Sequence, residues 1–275
     1  MAHKPSITAE TCGLSGALQV LEAGVSGVLK VSFTPPRYSL LEKGFSDAQK
    51  GAYIFSVQHN ISLPGHGVRL VPLRRSHAAD LFPYIDVEMW AGMASERPTS
   101  RRALERLFAA RIADRSVIAF AVIDEETDTV AGTTSLYDYV PEQSRIELGM
   151  TFFGRNYWGR NVNASSKLAL LSFAFEDLSV QRVTLRCDVR NTRSAAAIVK
   201  LGATLEGVLR SYRHGHDGAR VDSCVYSLLA HEWPASRSGL VQRLTPADLH
   251  PEVTELIELS EQLTRDDAKN APLPV

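Results

Sequence analysis

Cysteine is scarce and scattered in this chain. Cys12, Cys187 and Cys224 stand far apart with no CxxC pair among them, a spacing that suggests neither a disulfide framework nor a zinc site. Cys187 falls in an apolar strand-like run, where a buried, inert thiol is expected. Long apolar runs are missing as well: no stretch reaches the roughly 18 residues of a membrane-crossing helix. The N-terminus has no basic segment leading into an apolar core and cleavage site, so residence in the cytoplasm, with no membrane partner, is the expectation. An excess of positive charge is also absent. With 30 Lys and Arg against 31 Asp and Glu the formal charge is −1, whereas domains that track phosphate backbones are usually strongly basic. Nucleic acid is not expected as a partner. What is present is ordinary for a globular chain of 275 residues, 44% hydrophobic and 22% charged, enough for one large domain or two small ones.

Residues 1–64 read as an N-terminal extension of unknown role, 65–244 as the main domain, and 245–275 as a C-terminal helix with a loose tail. Pro35-Pro36 forbids a continuous helix in the extension. In the main domain Val68 to Arg74 alternates apolar and polar residues as a strand does, and Ser76 suits the cap of the helix that follows. Leu104, Leu107, Phe108 and Ile112 share one helical face. Arg101, Arg102, Arg106 and Arg111 lie mostly off that face, which reads as a solvated surface, with an acidic-substrate contact as the minority reading. Ser116 to Ile123 and Thr129 to Tyr139 form a hairpin across the acidic turn Asp124, Glu125, Glu126, Asp128, which lacks calcium-loop spacing. Leu205 to His214 and Val221 to Leu229 pair across a His214-Gly215-His216-Asp217 turn with too few ligands for a metal. Val253, Leu256, Ile257, Leu259 and Leu263 suggest a last amphipathic helix; the extension or a second subunit, giving a homodimer, could cover it.

The most informative stretch runs from Arg145 to Asn163. It reads as a strand to Phe153, a polar loop with Gly154 and Gly159, and a helix starting near Asn161 or Val162 with Leu168, Leu171, Phe175 and Leu178 on its buried face. Such a helix presents unpaired N–H groups and a positive dipole end to a phosphate. Glu147-Leu-Gly-Met150, Tyr157-Trp-Gly-Arg160, a strand ending at Asp188, and Asn191-x-x-Ser194-x5-Lys200-Leu-Gly-Ala203 follow in order. Together they resemble the GNAT superfamily of N-acetyltransferases, in the style of its RimJ/RimL branch of ribosomal-protein N-terminal acetyltransferases. The match covers roughly residues 66–235.

That resemblance implies an α+β fold: a mainly antiparallel sheet flanked by helices and splayed between two central strands, here Arg145 to Phe153 and Arg182 to Val189. It implies transfer of an acyl group, most simply from acetyl-CoA, to the amine of a protein N-terminus or a small molecule, without a metal. Backbone groups of Leu148, Met150 and Phe152 would pair with the pantetheine arm. Trp158, Gly159, Arg160, Asn161, Val162 and Asn163 would hold the phosphates, although Asn161 and Asn163 stand where the family uses glycine and a small residue. Asn191 and Ser194 would contact the arm and the thioester end, or serve as a helix cap. Glu147 is a candidate base, or else a strand residue paired with Arg145 or Arg186. A backbone N–H near Met150 would stabilise the oxyanion, and Ser194 or Tyr212 would protonate the departing sulfur. The acceptor side falls to Leu81 to Arg97 and Leu209 to Arg220. A second possibility is a degenerate member of the fold that binds acyl-CoA without turnover.

Overall fold

A computed structural model describes residues 59–245. The expectations for the rest of the extension, for Cys12 and for the amphipathic stretch from Val253 to Leu263 lie outside the described residues.

One mixed sheet of eight strands, among the described residues, organises the domain. In chain order the strands are β1 (Leu63–Pro64), β2 (Val68–Pro72), β3 (Val117–Asp124), β4 (Thr129–Val140), β5 (Arg145–Phe153), β6 (Arg182–Asp188), β7 (Thr204–His214) and β8 (Arg220–Leu229). They lie in the order β1-β2-β3-β4-β5-β6-β8-β7. Every neighbouring pair is antiparallel except β5 and β6, which run parallel. Strand β1 lies inside the stretch assigned to the extension, so the sheet begins earlier than the resemblance does.

The helices are α1 (Ala78–Leu81), α2 (Val87–Trp90), α3 (Arg101–Ala113), α4 (Val162–Ser172), α5 (Thr192–Val199) and α6 (Trp233–Leu244). Pro83 ends α1 by turning the chain into a single 3-10 turn, Phe82–Tyr84. The Ser100 hydroxyl caps α3 by accepting from the Ala103 N–H. No described helix is long and apolar enough to cross a membrane.

Helices α1 to α3 cover one face of the sheet. Leu81, Trp90, Leu104 and Phe108 pack there with Ala119, Ala121, Ile123 and Phe152 in one apolar cluster. The alternate residues of β3, Ile118, Phe120 and Val122, are buried as well. Strand β3 is therefore apolar along its length because both of its faces are covered. Helix α4 packs against β1, β2 and α6. Its residues from Ser165 to Leu171 are all buried, so it is enclosed rather than seated by the single face its periodicity suggested. The helix widens into a π turn at Phe173–Asp177, and Phe175, half buried, stacks on Trp233 with centroids 5.5 Å apart.

Close approach of β4 and β5 depends on Gly132. A Cβ at this position would stand 2.2 Å from the Phe152 carbonyl oxygen, and backbone cannot yield as a flexible side chain can. Gly132→Ala is expected to cost about 1–3 kcal/mol in urea denaturation, because the two strands must part.

Candidate active site

Strands β5 and β6 pair only through Arg145↔Arg182, Ile146↔Val183 and Glu147↔Thr184. Beyond these rungs β5 continues to Phe153 and β6 to Asp188, so the strands fork. From Leu148 onward the edge of β5 that faced β6 carries backbone groups without a partner strand. A cleft of about 960 Å³ opens there.

On its other edge β5 stays with β4, but with one residue too many. Ser135 faces Gly149 and Thr133 faces Phe152, which makes a bulge at Met150 and Thr151. Met150 sits at φ +49°, a left-handed conformation that costs a residue with a Cβ about 1–2 kcal/mol. Two cations hold the bulge. Arg111 Nη1 donates to the Met150 carbonyl and to Thr133 Oγ1, each at 3.2 Å. Lys167 Nζ donates to the Thr134 and Thr151 hydroxyls at 2.8 and 2.7 Å. Thr133 and Thr134 are consecutive strand residues and point to opposite faces, so Arg111 from α3 and Lys167 from α4 grip the bulge from opposite sides. The Met150 carbonyl, expected to be free for the pantetheine arm, is taken by Arg111. Arg111 is also no surface residue, unlike Arg101, Arg102 and Arg106.

At the crotch of the fork sits Glu147, only 3% exposed. Both of its oxygens accept from Arg186 on β6, through Nε at 2.7 Å and through Nη2, and Oε1 also accepts from the Tyr137 hydroxyl. Of the two arginines considered for this carboxylate, Arg186 is its partner, while Arg145 pairs with Asp138 at 3.3 Å. Gly149 makes room for Tyr137, whose hydroxyl would lie 2.8 Å from a Cβ there. Arg186 in turn donates to the Tyr212 hydroxyl and lies 4.9 Å above that ring. Burial alone would lower the Arg186 guanidinium's pKa; hydrogen bonds to Glu147 and the charge beside it outweigh this and raise it. Burial and the same carboxylate push the Tyr137 phenol upward. Tyr212 reaches the group from a distortion in β7, where the register shifts between Leu209 and Arg213 and Ser211 sits at φ +51°.

The loop from Gly154 to Asn161 closes the other end of the cleft. Gly159 has φ +75°, the position where glycine is needed. Asn161, by contrast, has helical angles of −71° and −13°. It replaces the family's glycine without strain because no positive φ is required of it. Asn163 lies within the first turn of α4, whose N–H groups at Val162, Asn163 and Ala164 have no intrahelical acceptor. The Trp158 indole donates to the Phe153 carbonyl at 3.0 Å and lies under the Arg193 guanidinium, 3.5 Å from the ring centroid. The loop is thereby fastened to α5. There Asn191 Oδ1 accepts from the Ser194 N–H at 3.0 Å, so the cap reading of this pair holds. Asn191 and Ser194 also line the cleft. Cys187, buried beside Ser194, has its thiol pushed up to about 11 by burial.

A forked parallel pair, a bulge beside it and a helix N-terminus beyond it form one site, and the family description of a GNAT acetyltransferase domain matches residues 68–204. The chain belongs to the GNAT family of N-acetyltransferases. It is 34% identical to a candidate acetyltransferase from T. thermophilus known from a crystal structure, with a TM-score of 0.63 over 67% of this chain and 97% of that one. It is 32% identical over 114 residues to the uncharacterized N-acetyltransferase p20 of Bacillus licheniformis, covering 42% of this chain and 63% of p20. It is 27% identical over 109 residues to YdaF of Bacillus subtilis (strain 168), named as a candidate ribosomal N-acetyltransferase, covering 40% of this chain and 58% of YdaF. The chain thus spans less than two thirds of these two curated relatives.

The residues present fit the acyl-CoA that the GNAT fold implies. The fork offers a strand edge for an amide-bearing arm, and free amides with Arg160 beside them suit a diphosphate. Every site residue expected from the sequence lies on this cleft or its loop except that Val162 is buried behind it. Sequence reasoning did not single out Tyr137, Lys167 or Arg193 for the site. Lysine at position 167, inside the aliphatic run of α4, was the one available signal for the second cation.

Lys167 has no carboxylate partner among the described residues, and burial alone holds its amine down at about 7 from an ordinary 10.5. Between those values the unfolded chain binds a proton that the folded chain does not, so unfolding free energy from this group rises with pH. Urea denaturation of wild type and Lys167→Met at pH 7 and pH 9 is expected to show the wild type gaining on the variant, by at most about 1.4 kcal/mol per pH unit. A pH-independent gap would mean that Lys167 stays protonated throughout.

Proposed function

We propose that this protein transfers an acetyl group from acetyl-CoA to the primary amine of a protein N-terminus or a small molecule, by direct attack and in the cytoplasm. The observation that carries the reading is the termination of β5–β6 pairing at Glu147, which opens a strand edge between the bulge and the N-terminus of α4. Acetyl-CoA supplies an activated acyl group as a thioester. Backbone groups of Leu148, at the start of the open edge, align the arm as a strand would. The α4 amides, with Gly159 and Arg160, hold the phosphates. The Met150 N–H is the donor to the carbonyl oxygen on which charge develops.

A protonated amine is no nucleophile, so a proton must leave the acceptor. Glu147 serves as the base, through a water on Oε2, which takes a single protein donor where Oε1 takes two. Arg186 donates to the Tyr212 oxygen, leaving the phenolic proton to go to the departing sulfur; Ser194 is the second donor at that end. The name given to YdaF, a candidate ribosomal N-acetyltransferase, supports a ribosomal component as acceptor. The competing reading, an acyl-CoA binder without turnover, draws on the Glu147–Arg186 pair, since a carboxylate so tied is a weakened base.

Free-thiol release from acetyl-CoA over a panel of amines decides between them. Glu147→Gln is expected to lower kcat by about 10²–10⁴-fold and Tyr212→Phe by about tenfold or more, with coenzyme A binding by calorimetry retained in both. Coenzyme A binding without thiol release for any amine would favour the binder.

A further inference from the structure

Arg111 is a buried cation with an incomplete set of partners. Its side chain reaches from α3 to the bulge and is 9% exposed. Nη1 uses its hydrogens on Thr133 Oγ1 and the Met150 carbonyl. A guanidinium has five N–H donors, and the other three meet no acceptor among the described residues. Neither Nε nor Nη2 is fully buried, and Arg111 lines the cleft. No carboxylate among the described residues neutralises the charge. Asp114 lines the same cleft but accepts from the Ser116 N–H and hydroxyl at 2.9 and 2.6 Å, and Glu147 belongs to Arg186. Burial lowers the Arg111 pKa to about 10, which still leaves it charged at neutral pH. A desolvated charge without a counter-ion is costly.

The surroundings say which reactant would supply that counter-ion. Arg111 lies on the α1–α3 side, with Met89, Met93, Leu107 and Val117 along the same cleft, while the phosphate loop leads into α4. Its guanidinium sits 3.2 Å from the carbonyl of the residue that bears the oxyanion donor. An anion bound to it would be only a few bonds from the reacting nitrogen.

We infer that Arg111 binds a carboxylate carried by the acceptor, and that the acceptor is a free α-amino acid with an apolar side chain. This rests on the acetyl-transfer reading and narrows it. The neutral α-amine attacks the thioester carbonyl carbon, the C–N bond forms and the C–S bond breaks. The amine proton leaves by way of Glu147, and coenzyme A departs as a thiolate that takes up a proton. The carboxylate stays on Arg111 throughout.

The test compares leucine, methionine and phenylalanine with their amides as acceptors for acetyl-CoA, following thiol release. It also follows binding of the N-acetylated acids and amides to the coenzyme-A-loaded protein by calorimetry. The acids are expected to exceed the amides at least tenfold in kcat/KM, or in affinity where turnover is slow. That preference should collapse in Arg111→Gln and partly return in Arg111→Lys, with coenzyme A binding kept. Equal handling of acid and amide by the wild type, in turnover and in binding, overturns the inference, as does a preference that survives in Arg111→Gln. Preference for an acyl-CoA bearing a terminal carboxylate, with a simple alkylamine as acceptor, would put the anion on the donor and also overturn it. Failure of the protein to bind coenzyme A would strike the acetyl-transfer reading itself, whereas coenzyme A binding with turnover of amines regardless of charge would strike only the carboxylate.

Discussion

The site hangs on the ion pair between Glu147 and Arg186, which joins β5 to β6 at the point where their hydrogen bonding stops. Without a link at the crotch, two parallel strands that diverge have nothing to set the angle between them. The pair supplies that link and recruits the neighbours: Tyr137 from β4 on one side, Tyr212 from β7 on the other. Four strands are thus tied at one carboxylate. Removing Arg186 would leave the Glu147 carboxylate buried and unpaired, which generally costs more than the pair contributes when intact. The same link makes Glu147 a stationary group, suited to holding a water in one place.

The bulge is the second fixed point, and it is held against strain rather than relaxed into it. Met150 keeps a left-handed backbone because Arg111 fixes its carbonyl from one face while Lys167, through Thr151, fixes the next residue from the other. Neither cation has a carboxylate partner among the described residues. Their burial lowers stability, and an arrangement that does so beside a strained backbone marks a place where structure serves binding or chemistry. The overall charge of −1 conceals this. Neutrality of the whole chain constrains solubility and nonspecific attraction, whereas the field inside a cleft is set by the few charges that line it. At the loop end of the cleft the Arg193–Trp158 contact joins α5 to the loop before α4, so the helix carrying Ser194 and the loop carrying Gly159 form one wall.

Much of the fold was legible because its elements have strong local signals. The polar–apolar alternation of Val68 to Arg74 and the glycine after α5, Gly202 at φ +88°, follow from backbone preferences that need no tertiary context. The loop before α4 was legible in outline but misjudged in detail. Asn161 stands where the family uses glycine, yet its helical angles ask for no glycine there. Lys167 was hidden for a different reason. Periodicity places a side chain on a face, but α4 is enclosed on all sides, so even its polar positions are interior and lysine there is bound to become a ligand of something.

Arg111 shows where reading by residue type fails. Three of the four arginines of α3 are exposed, as charge alone suggests, yet Leu104, Phe108 and Arg111 are spaced four and three apart and together form the buried stripe of that helix. Spacing therefore outranked composition, and the pattern pointed inward while the chemistry pointed outward. A globular domain normally settles such a conflict with an apolar residue, as it does at the two preceding positions of the stripe. Here it did not. The guanidinium reaches the bulge, and a leucine at this position would leave the Met150 carbonyl without its donor at the one point where the backbone is held out of its preferred basin. The charge is retained because the bulge needs a donor long enough to cross the core, and a donor of that length brings with it N–H groups that the protein itself does not use.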